Sequence, residues 1–363
     1  MNPYTPLSHL FPARPAPADP RRIVLILPCC IGDVVLATAT LKALRHAYPD
    51  AHITWAVGSW SKAAVEHHDL LDAVLDTGSA ALPVATLDGM RRFIDQLRKG
   101  KFDLAVSLVR SPLMSVAVLL SGIPNRAGLD SAGRGFGYTV RAPIDPDQAR
   151  HEGDIYLDVA RALGIDTSGC HANVPVAESD RGAVRRRLHE RRVDGSYIVV
   201  NPAGGRNPGM VMDVKRYPPE KLAALANRLA PALDARVVLL GALPDQPLID
   251  AVLAHLDKPA AVFAGALTFG QIAALARDSA LYLGNDTGLT HLAAAAGAKT
   301  AMILGPTDPT RYAPFAPDAI ALWQPTTVTP GGVAFGTPED WDWSRDGISV
   351  DEAERQIRAF LGV

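Results

Sequence analysis

Leu281-Tyr282-Leu283-Gly284-Asn285-Asp286-Thr287-Gly288-Leu289-Thr290-His291 decides the fold class of this chain. An apolar run from Ala280 to Leu283 stops at Gly284, and three small polar residues follow. After Gly288, apolar positions recur at spacings of three and four (Leu289, Leu292, Ala293, Ala296). The pattern is a strand, a tight turn and a helix start, with Asp286 or Thr287 available as the N-cap. Free N–H groups and the positive dipole end at such a start attract a phosphate, and Gly288 lets it approach the backbone. His291 falls on the first turn, where a ring nitrogen can donate to the same anion. Asp-Thr-Gly is also ordinary cap and turn chemistry, so this stretch alone leaves both readings open.

The same alternation extends outward in both directions. Arg21–Leu27 is a continuous apolar run behind two charges, the pattern of a strand buried on both faces of a parallel sheet. A turn at Pro28–Asp33 leads into a helix with Val34, Ala37, Leu41 and Leu44 on one side. Further strands are predicted at Ile53–Val57 and Phe102–Leu108, with helices near Ser61–Glu66, Asp88–Lys99 and Asp154–Leu163, the last stopped by Gly164. Periodicity is lost over Ile165–Asp180, and the alternation restarts after a charged helix, Arg181–Arg192. The strands are then Tyr197–Val200, Ala235–Leu240, Ala260–Phe263, Ala280–Leu283 and Thr300–Leu304. Helices are predicted near Pro218–Leu229, Gln246–Leu256, Phe269–Ala276 and Leu289–Ala296.

Strands alternating with helices give an α/β chain of two doubly wound halves. The expected division is a Pro-rich arm (1–20), an N-terminal domain (21–175), a C-terminal domain (176–347) and a terminal helix (348–363). The segment Gln324–Gly347 has no clear period. The helix from about Val350 aligns Ala353, Ile357, Phe360 and Leu361, an apolar face that must dock and could cross back to the N-terminal half.

Bulk composition excludes several function classes. At 363 residues and 48% hydrophobic, the chain can bury two ordinary cores. A net charge of −2 gives no global pull toward nucleic acid. Three cysteines, two of them adjacent (Cys29 and Cys30), make neither a disulfide framework nor a zinc site, and fit a reducing compartment. No signal-peptide core or 18-residue apolar run is present, so a cytoplasmic protein is expected, with membrane contact at most peripheral at the inner face.

The candidate chemistry gathers just past the predicted strand ends. Asp33 lies in the turn after the opening strand, suited to take a proton from an attacking hydroxyl or merely to cap its helix. Neither a dinucleotide Gly-x-Gly-x-x-Gly nor a Walker loop is present here. Gly133, Gly135 and Gly137 lack that spacing and read as a flexible loop. Pro202–Lys215 is a long loop holding Gly204. Lys215 can neutralise a leaving diphosphate, or it is simply a solvated lysine. Asp245 suits ribose hydroxyls or a cap, and Gly305-Pro306-Thr307-Asp308-Pro309 is another tight loop. In two facing parallel sheets, these strand ends can line one shared cleft.

Gly32-Asp33-Val34-Val35-Leu36-Ala37-Thr38 with Leu41-Lys42-Ala43-Leu44-Arg45 resembles the opening helix of the heptosyltransferase-like glycosyltransferases, glycosyltransferase family 9. Gly284–Ala295 and Gly305–Pro309 resemble that family's donor-side loops, with Lys215-Arg216-Tyr217-Pro218 and Arg126-Ala127-Gly128-Leu129 as weaker landmarks. The resemblance implies a GT-B fold, with an N-terminal acceptor domain, a C-terminal nucleotide-sugar domain and a cleft between them. It implies metal-independent, inverting transfer, typically of heptose from an ADP-linked donor onto lipopolysaccharide inner core, with no cofactor beyond that co-substrate. By motif, Asp33 becomes the general base and Lys215 offsets diphosphate charge. Thr287 and Gly288 offer N–H groups to phosphate, Asp286 accepts sugar hydroxyls, and His291 supports the turn. Gly204, Asp245, Gly305 and Thr307 belong to the donor side.

On the acceptor side stand Gly32 and the cations Arg110, Arg126, Arg134 and Arg141. Their small number leaves open a lipid-linked core, another surface glycan or a small metabolite as acceptor. Two rival classes share the architecture: a sugar-nucleotide epimerase and a non-catalytic nucleotide-sugar binding protein.

Overall fold

The computed structural model describes Tyr4 and residues 10–145, 147–326 and 341–363. Most of the Pro-rich arm before residue 10, and 327–340 of the aperiodic segment, therefore lie outside the described residues. The chain forms two compact units, Met1–Ala172 and Asn173–Val363.

The first unit is a six-stranded parallel sheet. Its strands are β1 (Arg22–Ile26), β2 (His52–Val57), β3 (Ala73–Asp76), β4 (Leu104–Ser107), β5 (Asn125–Ser131) and β6 (Val140–Ile144). Their order is β3-β2-β1-β4-β5-β6. Its helices are α1 (Ile31–Leu36), α2 (Thr38–Ala47), α3 (Leu87–Gly100), α4 (Pro112–Leu120) and α5 (Glu152–Ala162). Residues 23–26 of β1 are fully buried, as a central strand covered on both faces requires. The helix expected to run through Val34–Leu44 is interrupted: Ala37 closes α1 and opens α2.

The second unit repeats the plan. Helix α6 (Glu178–Glu190) precedes β7 (Tyr197–Asn201), and a short antiparallel pair follows, β8 (Arg206–Asn207) with β9 (Met210–Val211). Then come α7 (Pro219–Ala232), β10 (Arg236–Gly241), α8 (Gln246–Leu253), β11 (Ala261–Ala264) and α9 (Phe269–Arg277). The last part holds β12 (Leu281–Asn285), α10 (Gly288–Ala295), β13 (Thr300–Ile303), α11 (Pro309–Tyr312), β14 (Ala319–Leu322) and α12 (Val350–Leu361). The sheet order β11-β10-β7-β12-β13-β14 has the same pattern as the first. In each sheet the strand order reverses at one point, between β1 and β4 in the first and between β7 and β12 in the second. Ligands of such sheets bind just beyond the strand C-termini at that reversal.

The apolar face of α12 is buried within the second unit, where Ala353 and Ile357 join a core with Leu222, Leu229 and Leu322. Cys29 and Cys30, expected to belong to no disulfide framework, are joined to each other as a disulfide between neighbours. Among the described residues no helix is long and apolar enough to cross a membrane.

Candidate active site

In the first unit, the turn after β1 leads directly into α1, and Asp33 sits in that helix's first turn. Its carboxylate is half-buried. Oδ2 makes a long contact, 3.5 Å, with the Cys30 N–H, while Oδ1 accepts a 2.8 Å hydrogen bond from the Tyr156 hydroxyl of α5. Capping is therefore only part of what Asp33 does, since a side chain more than a hundred residues away also holds it. One turn earlier on α5, the buried Glu152 binds Arg110 in two hydrogen bonds, 2.5 and 3.3 Å. Arg110 follows β4, so the cluster straddles the β1/β4 reversal point.

Burial pushes the Asp33 carboxyl above the ordinary carboxylate range. The Tyr156 hydrogen bond works against that rise, the Glu152 charge adds to it, and the Cys30 N–H and the Arg110 guanidinium lower it. The result is a carboxylate more basic than a solvated aspartate, supported on one oxygen and only weakly engaged on the other.

The remaining acceptor-side candidates are dispersed. Gly32 lies beside Asp33 in α1. Arg134 is exposed in the turn just past the C-terminus of β5. Arg126 stands at the other end of β5, where its guanidinium donates to the carbonyls of Gly137, Ile123 and Pro124 at 2.8, 2.6 and 3.2 Å. In that placement it braces a loop at the N-terminal end of the strand. Arg141 likewise binds the Tyr138, Phe136 and Phe11 carbonyls. Gly128, on β5, is required sterically, because a Cβ there would lie 2.4 Å from the Tyr138 ring. The glycines at 133–137 form an anchored turn rather than a flexible loop, with the Gly135 N–H bound to Asp130 at 2.9 Å.

In the second unit, β12 ends at Asn285 and Thr287 is the N-cap of α10. Thr287 holds that position without a side-chain cap hydrogen bond, and the Asp286 carboxylate is engaged elsewhere. Asp286 is buried, and its Oδ2 accepts from Lys215 Nζ at 2.6 Å and from Thr307 Oγ1 at 2.8 Å. His291 Nε2 lies 4.0 Å from Oδ1. Burial by itself would raise this carboxyl, but Lys215, His291 and the Thr307 hydroxyl together hold it below the ordinary range. Lys215, in a short turn before α7, is thus no solvated lysine: its side chain is 15% exposed and fixed by an ion pair.

The surrounding backbone is drawn close to this pair. Gly204 adopts φ +152°, and a Cβ placed there would meet Asn285 and Thr287 at 3.4 and 3.6 Å. At Gly305 a Cβ would collide with Trp343 at 2.7 Å and approach the Val214 carbonyl at 3.3 Å. Gly204, Lys215, Asp286, Thr287, Gly288, His291, Gly305 and Thr307 therefore form one cluster beyond β7, β12 and β13. Asp245, past β10, binds the Ala242 N–H of its own turn at 2.9 Å and takes the capping role.

One residue of this cluster escaped sequence reasoning. The Asn285 side chain accepts from the Tyr217 N–H at 3.0 Å and donates to the Pro202 and Ala203 carbonyls at 2.9 and 3.2 Å. It ties the loop after β7 and the segment following Lys215 to the end of β12. Its signal was its place between Gly284 and Asp286, which reads equally as turn composition.

The sequence model of glycosyltransferase family 9 (heptosyltransferase) matches residues 90–331. The chain is 24% identical over 340 residues to lipopolysaccharide heptosyltransferase 3 of Escherichia coli strain K12, covering 90% of this chain and 94% of that one. Among solved structures, a family 9 glycosyl transferase from Veillonella parvula superposes with a TM-score of 0.80 at 22% identity, covering 96% and 99% of the two chains. The E. coli ADP-heptose LPS heptosyltransferase II gives 0.72 at 20% identity, covering 94% and 98%. These likenesses establish a common fold of two parallel six-stranded sheets, the GT-B type expected.

Proposed function

This chain belongs to glycosyltransferase family 9, the heptosyltransferase family, and on that premise we propose that it moves a heptose from ADP-heptose to a glycan hydroxyl with inversion at the anomeric carbon. Membership in a transferase family sets aside the epimerase and the non-catalytic alternatives. The observation that carries the mechanism is the Asp33 carboxylate, made more basic by burial and standing at the β1/β4 reversal point.

In this reading, Asp33 Oδ2 takes the proton of the acceptor hydroxyl as its oxygen attacks the anomeric carbon. The bond to the diphosphate breaks on the opposite face, and its electron pair leaves with the phosphate oxygen. The growing negative charge is met by Lys215 and by the N–H groups opening α10 at Gly288. Asp286 and Thr307 keep the ammonium in place, so little reorganisation accompanies charge development. Lys215 takes the part a divalent cation plays in other transferases, and the reaction is proposed to be metal-independent. The family's relatives named for lipopolysaccharide make its core the first acceptor to try.

Purified protein incubated with ADP-, GDP- and UDP-linked heptose, with and without a lipopolysaccharide core acceptor, tests the proposal. ADP released only when acceptor is present, with a product of inverted anomeric configuration by NMR, supports it. Retention of configuration, or turnover lost on chelation and restored by a divalent metal, contradicts it.

A further inference from the structure

The Asp33 site contains more ionisable chemistry than a lone base needs. Tyr156 and Glu152 are both on α5, one helical turn apart, so they face the same neighbours. Tyr156 is 5% exposed, and its hydroxyl donates to Asp33 Oδ1 at 2.8 Å. Glu152, 2% exposed, is bound by Arg110. Other charged groups on the elements packed against α1 are directed elsewhere. In the turn Lys62–Ala64, Lys62 engages Glu66 and Asp76. On α2, Lys42 reaches the Gly169 carbonyl and Arg45 binds Asp72. The groups that set the state of Asp33 are therefore Tyr156, Glu152, Arg110 and the Cys30 N–H.

We propose that Tyr156 is a positioning residue for the general base: its hydroxyl fixes Oδ1 of Asp33 and leaves Oδ2 to receive the proton, while the Glu152–Arg110 pair holds α5 against the base. This rests on Asp33 being the base. A hydrogen bond donated to a carboxylate stabilises the charged form, so its loss raises the carboxyl further. Glu152 adds negative charge, and neutralising it leaves the Arg110 cation closer to unopposed. The two residues therefore act in opposite senses on one titration.

The opposition gives a test that general loosening of the fold does not imitate, because letting water into the site moves Asp33 toward an ordinary aspartate in every variant. The parent, Tyr156→Phe, Glu152→Gln and Asp33→Asn proteins are compared by the pH dependence of kcat. The Asp33 carboxyl of the parent and Tyr156→Phe proteins is also titrated by NMR with 13C-labelled aspartate. Tyr156→Phe is expected to move the acid limb of kcat and the carboxyl titration upward by ~1 pH unit, with the donor KM unchanged. Glu152→Gln is expected to move the limb downward. An unmoved or lowered Asp33 titration in Tyr156→Phe overturns the inference even if Asp33→Asn is inactive, and does so from the NMR alone should Glu152→Gln fail to fold. An Asp33→Asn protein that still turns over removes the base itself, and this inference with it.

Discussion

Exchanging Lys215 for methionine leaves Asp286 as a buried carboxylate with the Thr307 hydroxyl and, at 4.0 Å, the His291 ring for company. Removing one partner of a buried ion pair costs about 3–5 kcal/mol. Lys215 is 15% exposed, so water reaches part of the vacated space, and the remaining donors compensate in part. A loss of about 2–3 kcal/mol is the expected size. For a unit the size of Asn173–Val363 that corresponds to a fall of roughly 5–10 °C in its melting transition.

The pH dependence supplies the sign. In the parent, the Asp286 carboxyl lies below its unfolded value, so its contribution is present at neutral pH and is lost as the pH falls through the folded value. Without Lys215, burial dominates and the carboxyl rises above the unfolded value, so the folded protein prefers it protonated. The gap between Lys215→Met and parent should therefore be wide near neutral pH and narrow on acidification. Adding Asp286→Asn to Lys215→Met removes the stranded charge and should recover much of the loss. Calorimetric melts of parent, Lys215→Met, Asp286→Asn and the double variant at two pH values complete the cycle. Lys215→Met and parent melting together at both would refute the buried-pair argument.

Other substitutions separate structural from chemical roles. Arg126→Ala should lower stability by about 1–2 kcal/mol by abandoning three carbonyls, while leaving the acceptor KM unchanged in steady-state assays. Asn285→Ala should cost about 2–3 kcal/mol and weaken donor binding together, since the loop holding Lys215 loses its tie to β12; denaturant titration and calorimetric donor binding measure both. Gly305→Ala should reduce thermal stability and donor affinity, because Trp343 and the Val214 carbonyl occupy the space a methyl group needs.

Most of the architecture was legible because central parallel strands are buried on both faces. Ile23–Ile26, Ile198–Val200, Val237–Leu240 and Leu281–Leu283 are continuous apolar runs, the pattern of strands covered on both faces. Toward the sheet edges β11 was legible, but β3, β5, β6 and β14 were not, for the same physical reason. β3 is Ala-Val-Leu-Asp, β5 carries Asn125, Arg126 and Gly128, and β6 tolerates Pro143 because it is an edge strand. Helix α4 is apolar almost all round, so periodicity gives no sign of it. At the site, the stretches carrying Asp33, Lys215 and Asp286 stood out by position after strands. Their partners did not. Tyr156 falls in line with the apolar positions Val159, Ala160 and Leu163 of its helix, and the Lys215–Asp286 pair joins residues separated by 71 positions. Such contacts come from the sheet order, which local pattern does not encode.

The central claim is that Asp33 moves a proton and does not merely shape its turn. Turnover of Asp33→Asn with ADP-heptose and acceptor, measured beside calorimetric binding of ADP to the same protein, tests it most directly. The account predicts transfer reduced by ~10³-fold or more with ADP affinity nearly unchanged. Transfer retained, or turnover and ADP binding falling together, would contradict it.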